Sequence, residues 1–411
     1  MKNDNYHHAP FAMDEVLPPV FPERTVLVPW TDGNAVNIQN AINDCASLGG
    51  GTVTVSKGHW YSKGSLFLKS NIRLNLEEGA IIEFSDHFSD YLPMVLTRWE
   101  GFECYNYSPL IYARDCENIA IVGKGTFIGR GAAWWPWKLL QEQAAKDLNQ
   151  ASQNHIPVEN RRYGTETAAL RPSFIQPFNC KNILLDGFTI LDGPQWTVHP
   201  VYCENVLIQN LDIRTHGPNT DGLNPDSCKN VVIEKCHFYT GDDCIAINSG
   251  MNEDGHRVNK PCENIIIRDN LMTGGHGAIV IGSGMSGGVK NVYATRNTVT
   301  EAMWGIRMKS MRGRGGYIRN VWIEDMKINN TSRNPIQIST FYDTTTVQPL
   351  TNTPPEFSGI HLKNISGKHP HGPIDIIGLP EQPLRDITFE HVIFSPTAPI
   401  HAQDAEHCHK C

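Results

Sequence analysis

Two stretches, NTDGLNPDSCKN at residues 219–230 and TGDDCIAINSG at 240–250, set three carboxylates, Asp221, Asp242 and Asp243, among glycine, asparagine and threonine. Each stretch runs into an apolar, strand-like segment. Alone, Asp-Gly or Gly-Asp-Asp is ordinary turn chemistry. Brought together, three carboxylates cannot all ionise normally, and repulsion raises the pKa of at least one. A protonated acid then stands beside an ionised carboxylate. Glycoside hydrolysis uses that pair: one group protonates the leaving oxygen, another activates water or attacks. The three should titrate as a coupled set. A calcium site is the alternative, since clustered carboxylates suit a hard cation.

Cations follow. GGHGAIVIG puts His276 between glycines at the start of a strand, and WGIRMKS puts Arg307 and Lys309 two apart, on one side of a strand. Either motif alone would be a solvated strand face. Here they join an acidic cluster in an acidic chain, with 35 Lys and Arg against 43 Asp and Glu, a net charge of −8. That balance argues against nucleic acid as a partner. An anionic ligand must then be held by a local basic cluster. A carboxylate-bearing sugar fits, with Arg307 as a bidentate fork. Asp226, in NPDS, has nothing one period away to answer it and reads as turn chemistry.

What positions these groups is a repeat. CENIAIVG at 116 recurs as CKNILLDG at 180, CENVLIQN at 203, CKNVVIEK at 228 and CENIIIRD at 262, with weaker copies at 289, 318, 357 and 384. Successive asparagines stand 23 (182 to 205), 25 (205 to 230), 27 (264 to 291) and 29 (291 to 320) residues apart. A near-fixed period in the twenties marks a solenoid. Each copy alternates apolar and polar residues with period two, which is a strand. One unit cannot bury its own apolar face, so coils must stack into a parallel β-helix. Asp221 and Asp242 are 21 residues apart, so they should lie one coil, about 4.8 Å, apart. The steps to His276 and on to Arg307 fit one coil plus a loop. Cys116, Cys180, Cys203, Cys228 and Cys262 should stack as small buried hydrophobes, rather than as a disulfide or metal column.

The domain divides into an arm at 1–23, a β-helix at 24–395 and a tail at 396–411. Asp32 or Asn34 should cap a helix that plugs the first coil. Residues 131–172 interrupt the repeat with three tryptophans and a helical stretch, Lys138 to Gln150, and read as a functional insertion. The tail, with His407, Cys408, His409 and Cys411, matches no zinc spacing and should fray. The cysteine count, 11, is odd, so at least one thiol is unpaired or pairs between chains. No run approaches the roughly 18 apolar residues of a membrane span. Residues 1–21 lack a secretory pattern. If Met1 is the natural start, the chain is cytoplasmic with reduced thiols; one that had lost a leader, periplasmic or secreted, would read the same.

NTD at 219, GDD at 241, GHG at 275 and Arg-Met-Lys at 307 resemble, in order, the four signatures of glycoside hydrolase family 28, the polygalacturonases, with Met308 where Ile is usual. The resemblance runs from about residue 24 to 395, and RPSFIQPFNCKN, GPQWTVHP and GSGMSGG look like the bacterial exo-polygalacturonases. It implies a right-handed β-helix, no metal or cofactor, and inverting hydrolysis of α-1,4-galacturonosidic bonds with release of galacturonate or digalacturonate. Asp242 becomes the acid, Asp221 and Asp243 hold and deprotonate water, and His276 supports the acid. Arg307 and Lys309 would grip the sugar carboxylate beside Asn219, with Tyr342 as a further contact. Trp196 and His199 should line the cleft, and Trp134, with Trp135 and Trp137, should wall it. Inversion predicts acid and base carboxyls roughly 6.5–9.5 Å apart. The alternatives are an endo enzyme, a rhamnogalacturonan hydrolase, a calcium-dependent pectate lyase, and a β-helix that only binds.

Overall fold

The computed structural model describes residues 9–342 and 350–410; residues 1–8 of the arm and Cys411 of the tail lie outside the described residues. The repeated phrase forms one strand of every coil. From Glu117–Gly123 to Ala405–Lys410 these strands pair in parallel, in the order of the chain. Ile119, Ile183, Val206, Val231, Ile265, Val292, Val321, Ile360 and Ile387 stack as register partners. All are buried. A one-residue slip would turn that column outward, so burial fixes the register. The fold is a right-handed parallel β-helix.

The asparagine of the phrase has its own reason. Asn118, Asn182, Asn205, Asn230, Asn264, Asn291 and Asn320 all adopt positive φ, which asparagine tolerates better than most residues. Each amide donates to the asparagine one coil earlier, beginning with Asn71, at 2.9–3.2 Å. Cys180, Cys203, Cys228 and Cys262 are buried and Cys116 half-buried, and the described cysteines are free thiols. They stack as small hydrophobes whose thiols donate to carbonyls, such as Cys228 Sγ to Pro200 O at 3.1 Å.

Helix α1 (Val36–Ser47) buries Ile38, Ile42 and Cys45 in the first coil. Asn34 Oδ1 accepts from the Val36 amide at 3.0 Å. An antiparallel hairpin, β1 (Val95–Trp99) and β2 (Phe102–Asn106), rises from the solenoid. In the insertion, helix α2 (Glu142–Gln153) starts four residues later than predicted, after a 3-10 turn at Trp135–Leu139. Hairpin, insertion and helix α3 (Asn252–Val258) are tied by Asp254, which takes the Glu103 amide at 2.7 Å and Arg161 Nη1 at 2.8 Å. A second parallel sheet carries β3 (Ile245–Ile247), β4 (Gly277–Ile281), β5 (Trp304–Lys309) and β6 (Ile336–Ser339), one per coil.

One end differs from the prediction, and the other was left open by the sequence. The tail does not fray: Ile400–Gln403 and Ala405–Lys410 pair onto the preceding coil and complete it. The described part of the arm packs Phe11, Met13, Val16 and Phe21 on the outer face of the repeat sheet, against Leu184, Leu207, Val232 and Ile266. Among the described residues no helix is long and apolar enough to cross a membrane.

Candidate active site

Register brings the carboxylates together. The Gly222 amide donates to Asp243 O and the Leu223 amide to Cys244 O, both at 2.9 Å, so the two aspartate stretches are adjacent turns of the helix. One coil on, the His276 amide donates to Asp242 O at 2.9 Å. The Gly277 amide donates to Asp243 Oδ1 at 2.8 Å. The glycines flanking His276 are required. Gly275 has φ of +144°, and a Cβ there would meet Thr240 Oγ1 at 2.6 Å; one at Gly277 would meet Asp243 Oδ1 at 2.9 Å. One oxygen from each of Asp221, Asp242 and Asp243 lies within 4.8 Å of the others. This is tighter than the 6.5–9.5 Å expected for carboxyls of an inverting pair. Two oxygens that close can share one water, at about 2.7 Å to each.

The proton sits where the sequence left it open. Burial, then the charges of Asp242 and Asp243, push Asp221 well above the usual carboxylate range. Asn224 Nδ2 donates to its Oδ2 at 2.8 Å. Burial also pushes Asp242 up, but the hydrogen bond and charge of His276, with Lys309, outweigh it and hold Asp242 low. His276 Nδ1 lies 3.1 Å from Asp242 Oδ1, and that contact raises the imidazole. The shifts favour a neutral Asp221 and a charged His276 beside Asp242.

On β5, Met308 points into the core while Arg307 and Lys309 point out. Lys309 departs from its expected role, because its Nζ is paired with Asp243 Oδ2 at 2.9 Å. Burial lowers the Lys309 pKa, and Asp243 more than reverses that. Lys309 on Asp243 and His276 on Asp242 each engage a carboxylate of the trio that a hard cation would also need. Arg307 stacks over the Trp304 ring, 3.7 Å from its centroid, with Tyr342 at 5.5 Å and Gln337 Oε1 accepting from Nε at 2.8 Å. Trp304 and Gln337 were missed, although Trp304 stands three residues before Arg307. Asn219 sits between Arg171 Nη2, which donates to its Oδ1 at 2.9 Å, and Asp242 Oδ2 at 3.5 Å.

A cavity of about 300 Å³ opens on the three aspartates. Trp196, Asn219, Lys309 and Tyr342 line it, as do three residues the sequence did not suggest, Glu100, Met251 and Arg314. Three further expectations fail. Trp134 is fully buried and packs edge-on against Phe88, Tyr91, Tyr107 and Trp137, so it is core. The wall is instead the tip of the β1–β2 hairpin with Met251 and Arg314. His199 is also fully buried, bonded to Gln176 at 2.9 Å and Asp226 at 3.3 Å, with its pKa lowered by burial. Asp226 is no turn residue. It forms a buried ion pair with Arg98 at 2.8 Å and accepts the Gly250 amide, one coil on, at 3.1 Å. Its partner came from the hairpin, 128 residues away, where no repeat points.

Comparison with known proteins assigns the chain to one family and fold. The model of glycosyl hydrolases family 28 matches residues 94–403. A probable polygalacturonase of Vitis vinifera is 32% identical over 72% of this chain and 58% of its own length. The exo-poly-alpha-D-galacturonosidase of Dickeya chrysanthemi is 26% identical over 89% of this chain and 65% of its own. The chain therefore spans about three fifths of these curated relatives. Among solved structures, a hyperthermoactive exopolygalacturonase from Thermotoga maritima superposes with a TM-score of 0.86 at 37% identity, covering 92% of this chain and 88% of its own.

Proposed function

Because the chain belongs to glycosyl hydrolase family 28, we propose that it hydrolyses α-1,4-galacturonosidic bonds of polygalacturonate or its oligomers, removing units from a chain end. The observation that carries this is the carboxylate trio in a cavity that also presents Lys309 and Tyr342 and is flanked by Arg307. The relative from Thermotoga, and that from Dickeya, are exo enzymes by name, and the walled cavity supports the same mode here.

In this reading Arg307 takes the sugar carboxylate as a planar fork, braced by Trp304 and Gln337. That second anion, and the water it displaces, moves the proton of the His276–Asp242 pair onto Asp242. Asp242 gives it to the leaving oxygen as the C–O bond breaks. Asp243 takes a proton from the water, which Asp221 helps to hold, and that water's oxygen bonds the anomeric carbon. The proton then returns from Asp243 to the adjacent Asp242. One water is consumed. The short spacing between the carboxyls is compatible with one trapped water, and we propose inversion.

The test is incubation with polygalacturonate plus a chelator, with products resolved over time and the first product examined by proton NMR. Steady release of mono- or digalacturonate, β-anomer first, is expected. A ladder of sizes would exclude the exo mode, and the α-anomer first would exclude inversion. Ultraviolet-absorbing product, or loss of activity with chelator, would replace the hydrolase reading by a lyase.

A further inference from the structure

The tip of the β1–β2 hairpin is a two-residue turn, Glu100–Gly101, with φ of +43° and +91°. Such turns favour Asn-Gly, because both residues need positive φ. Glutamate has no conformational reason to be there. Glu100 lines the catalytic cavity and also a neighbouring one that it shares with Lys138. Oε1 accepts from the buried Gln195 Nε2 at 2.8 Å, and no described donor is bonded to Oε2. Arg314 lines the same cavity. Its Nη1 donates to the neutral Asn252 at 3.1 Å, and its buried Nε has no partner among the described residues. An acid and a base thus share one wall of the cavity, and neither is in an ion pair among the described residues.

The polarity of a bound sugar follows. Asp221 and Asp243 line the cavity, whereas Arg307 is not part of its lining. Asp242, the acid, lines it too; a sugar enclosed here and attacked at its anomeric carbon leaves Arg307 to the leaving side. In a pyranose the 4-position lies across the ring from the anomeric carbon. The 4-oxygen of the enclosed sugar thus points away from the attacked carbon, and Glu100 and Arg314 are the charged lining residues outside the aspartate–Lys309 cluster.

We propose that Glu100 and Arg314 form a chain-end reader, in which Glu100 accepts a hydrogen bond from the free 4-hydroxyl of a non-reducing terminal uronate and Arg314 holds that sugar's carboxylate. An internal unit has a glycosidic oxygen at this position and no proton to donate. A 4,5-unsaturated end, the product of a lyase, has no 4-oxygen at all. Both leave Glu100 Oε2 without a donor, which is the kind of mismatch a polar site rejects most strongly. Burial raises the Glu100 carboxyl above its usual range, and the charges of Lys138, Arg171 and Arg314 act against that. The inference rests on the galacturonan reading above.

The experiment compares initial rates on saturated, 4,5-unsaturated and end-reduced trigalacturonate for the wild type, Glu100→Ala, Glu100→Leu and Arg314→Ala, with circular dichroism for the fold. The wild type should prefer the saturated to the unsaturated trimer at least tenfold in kcat/KM, and reduction of the other end should matter little. Either folded Glu100 variant should lose that preference, mainly on the saturated trimer. Arg314→Ala should raise KM on both with kcat nearly unchanged. A wild type without the preference, a preference kept by a folded Glu100 variant, or one destroyed by end reduction instead would overturn the proposal. A wild type that cleaves no galacturonan would overturn the parent reading, and with it this one.

Discussion

At the scale of the residue, the chemistry turns on how four groups share protons. Asp242→Asn should leave the fold intact and cut kcat by about 10²–10⁴-fold, the usual worth of a positioned acid. Undiminished turnover would remove Asp242 as the proton donor. Asp221 gives the opposite lesson. Its folded pKa is raised, by burial first, so its contribution to stability is full below the unfolded value of about 3.9 and is lost as pH rises through the folded one. Asparagine mimics the protonated form. Asp221→Asn should therefore raise Tm at pH 7, with the gain vanishing near pH 3.5, while activity falls. A lower Tm at neutral pH would show that ionised Asp221 is stabilised by its surroundings. The three aspartates, His276, Arg307 and Lys309 were all visible in the sequence. The partition of protons was not, because it depends on burial and on which neighbour touches which oxygen.

At the scale of the element, short turns aim the side chains. Gly275→Ala puts a Cβ into Thr240 Oγ1 and Asp242 O, at a φ that disfavours alanine. It should lower kcat more than it lowers Tm, since the clash falls on the backbone that presents His276 and Asp242; intact kcat in a folded variant would show that the turn yields without cost. The hairpin is held down by the buried Arg98–Asp226 pair. Removing one partner of such a pair strands the other charge, at about 3–5 kcal/mol, so Asp226→Ala should show a large fall in the denaturant midpoint. A change within about 0.5 kcal/mol would mean water reaches Arg98. Periodicity could not reveal this pair, because the hairpin lies outside the repeat. The same blindness misplaced the cavity wall. Three tryptophans in an insertion looked like a sugar platform, but Trp134 was needed to seat the insertion on the solenoid.

At the scale of the whole molecule, stability is a stack of neighbouring coils, and an open end exposes the core. The final coil covers Leu384, Ile387 and Phe389, all buried. Truncation after Ser395 should therefore reduce soluble yield and promote aggregation, read by light scattering. A monodisperse truncated protein with unchanged Tm would show the last coil to be dispensable. The tail was misread because its apolar residues are sparse and its histidines suggest solvent. What orders it is the backbone edge of the preceding coil, which offers unpaired hydrogen-bonding groups to any following strand.

The sequence by itself determined the solenoid, its period and the face that gathers the aspartates, because a repeat of strands that cannot bury themselves singly has few ways to stack. It also held the ladder of Asn118, Asn182 and their successors, seen first only as a ruler. Tertiary structure decided everything that joins distant segments: the Arg98–Asp226 pair, Glu100 and Arg314 on the cavity lining, Lys309 on Asp243, and the burial that raises Asp221. These depend on contacts between a hairpin, a helix and a coil far apart in the chain, and on the water that their packing excludes.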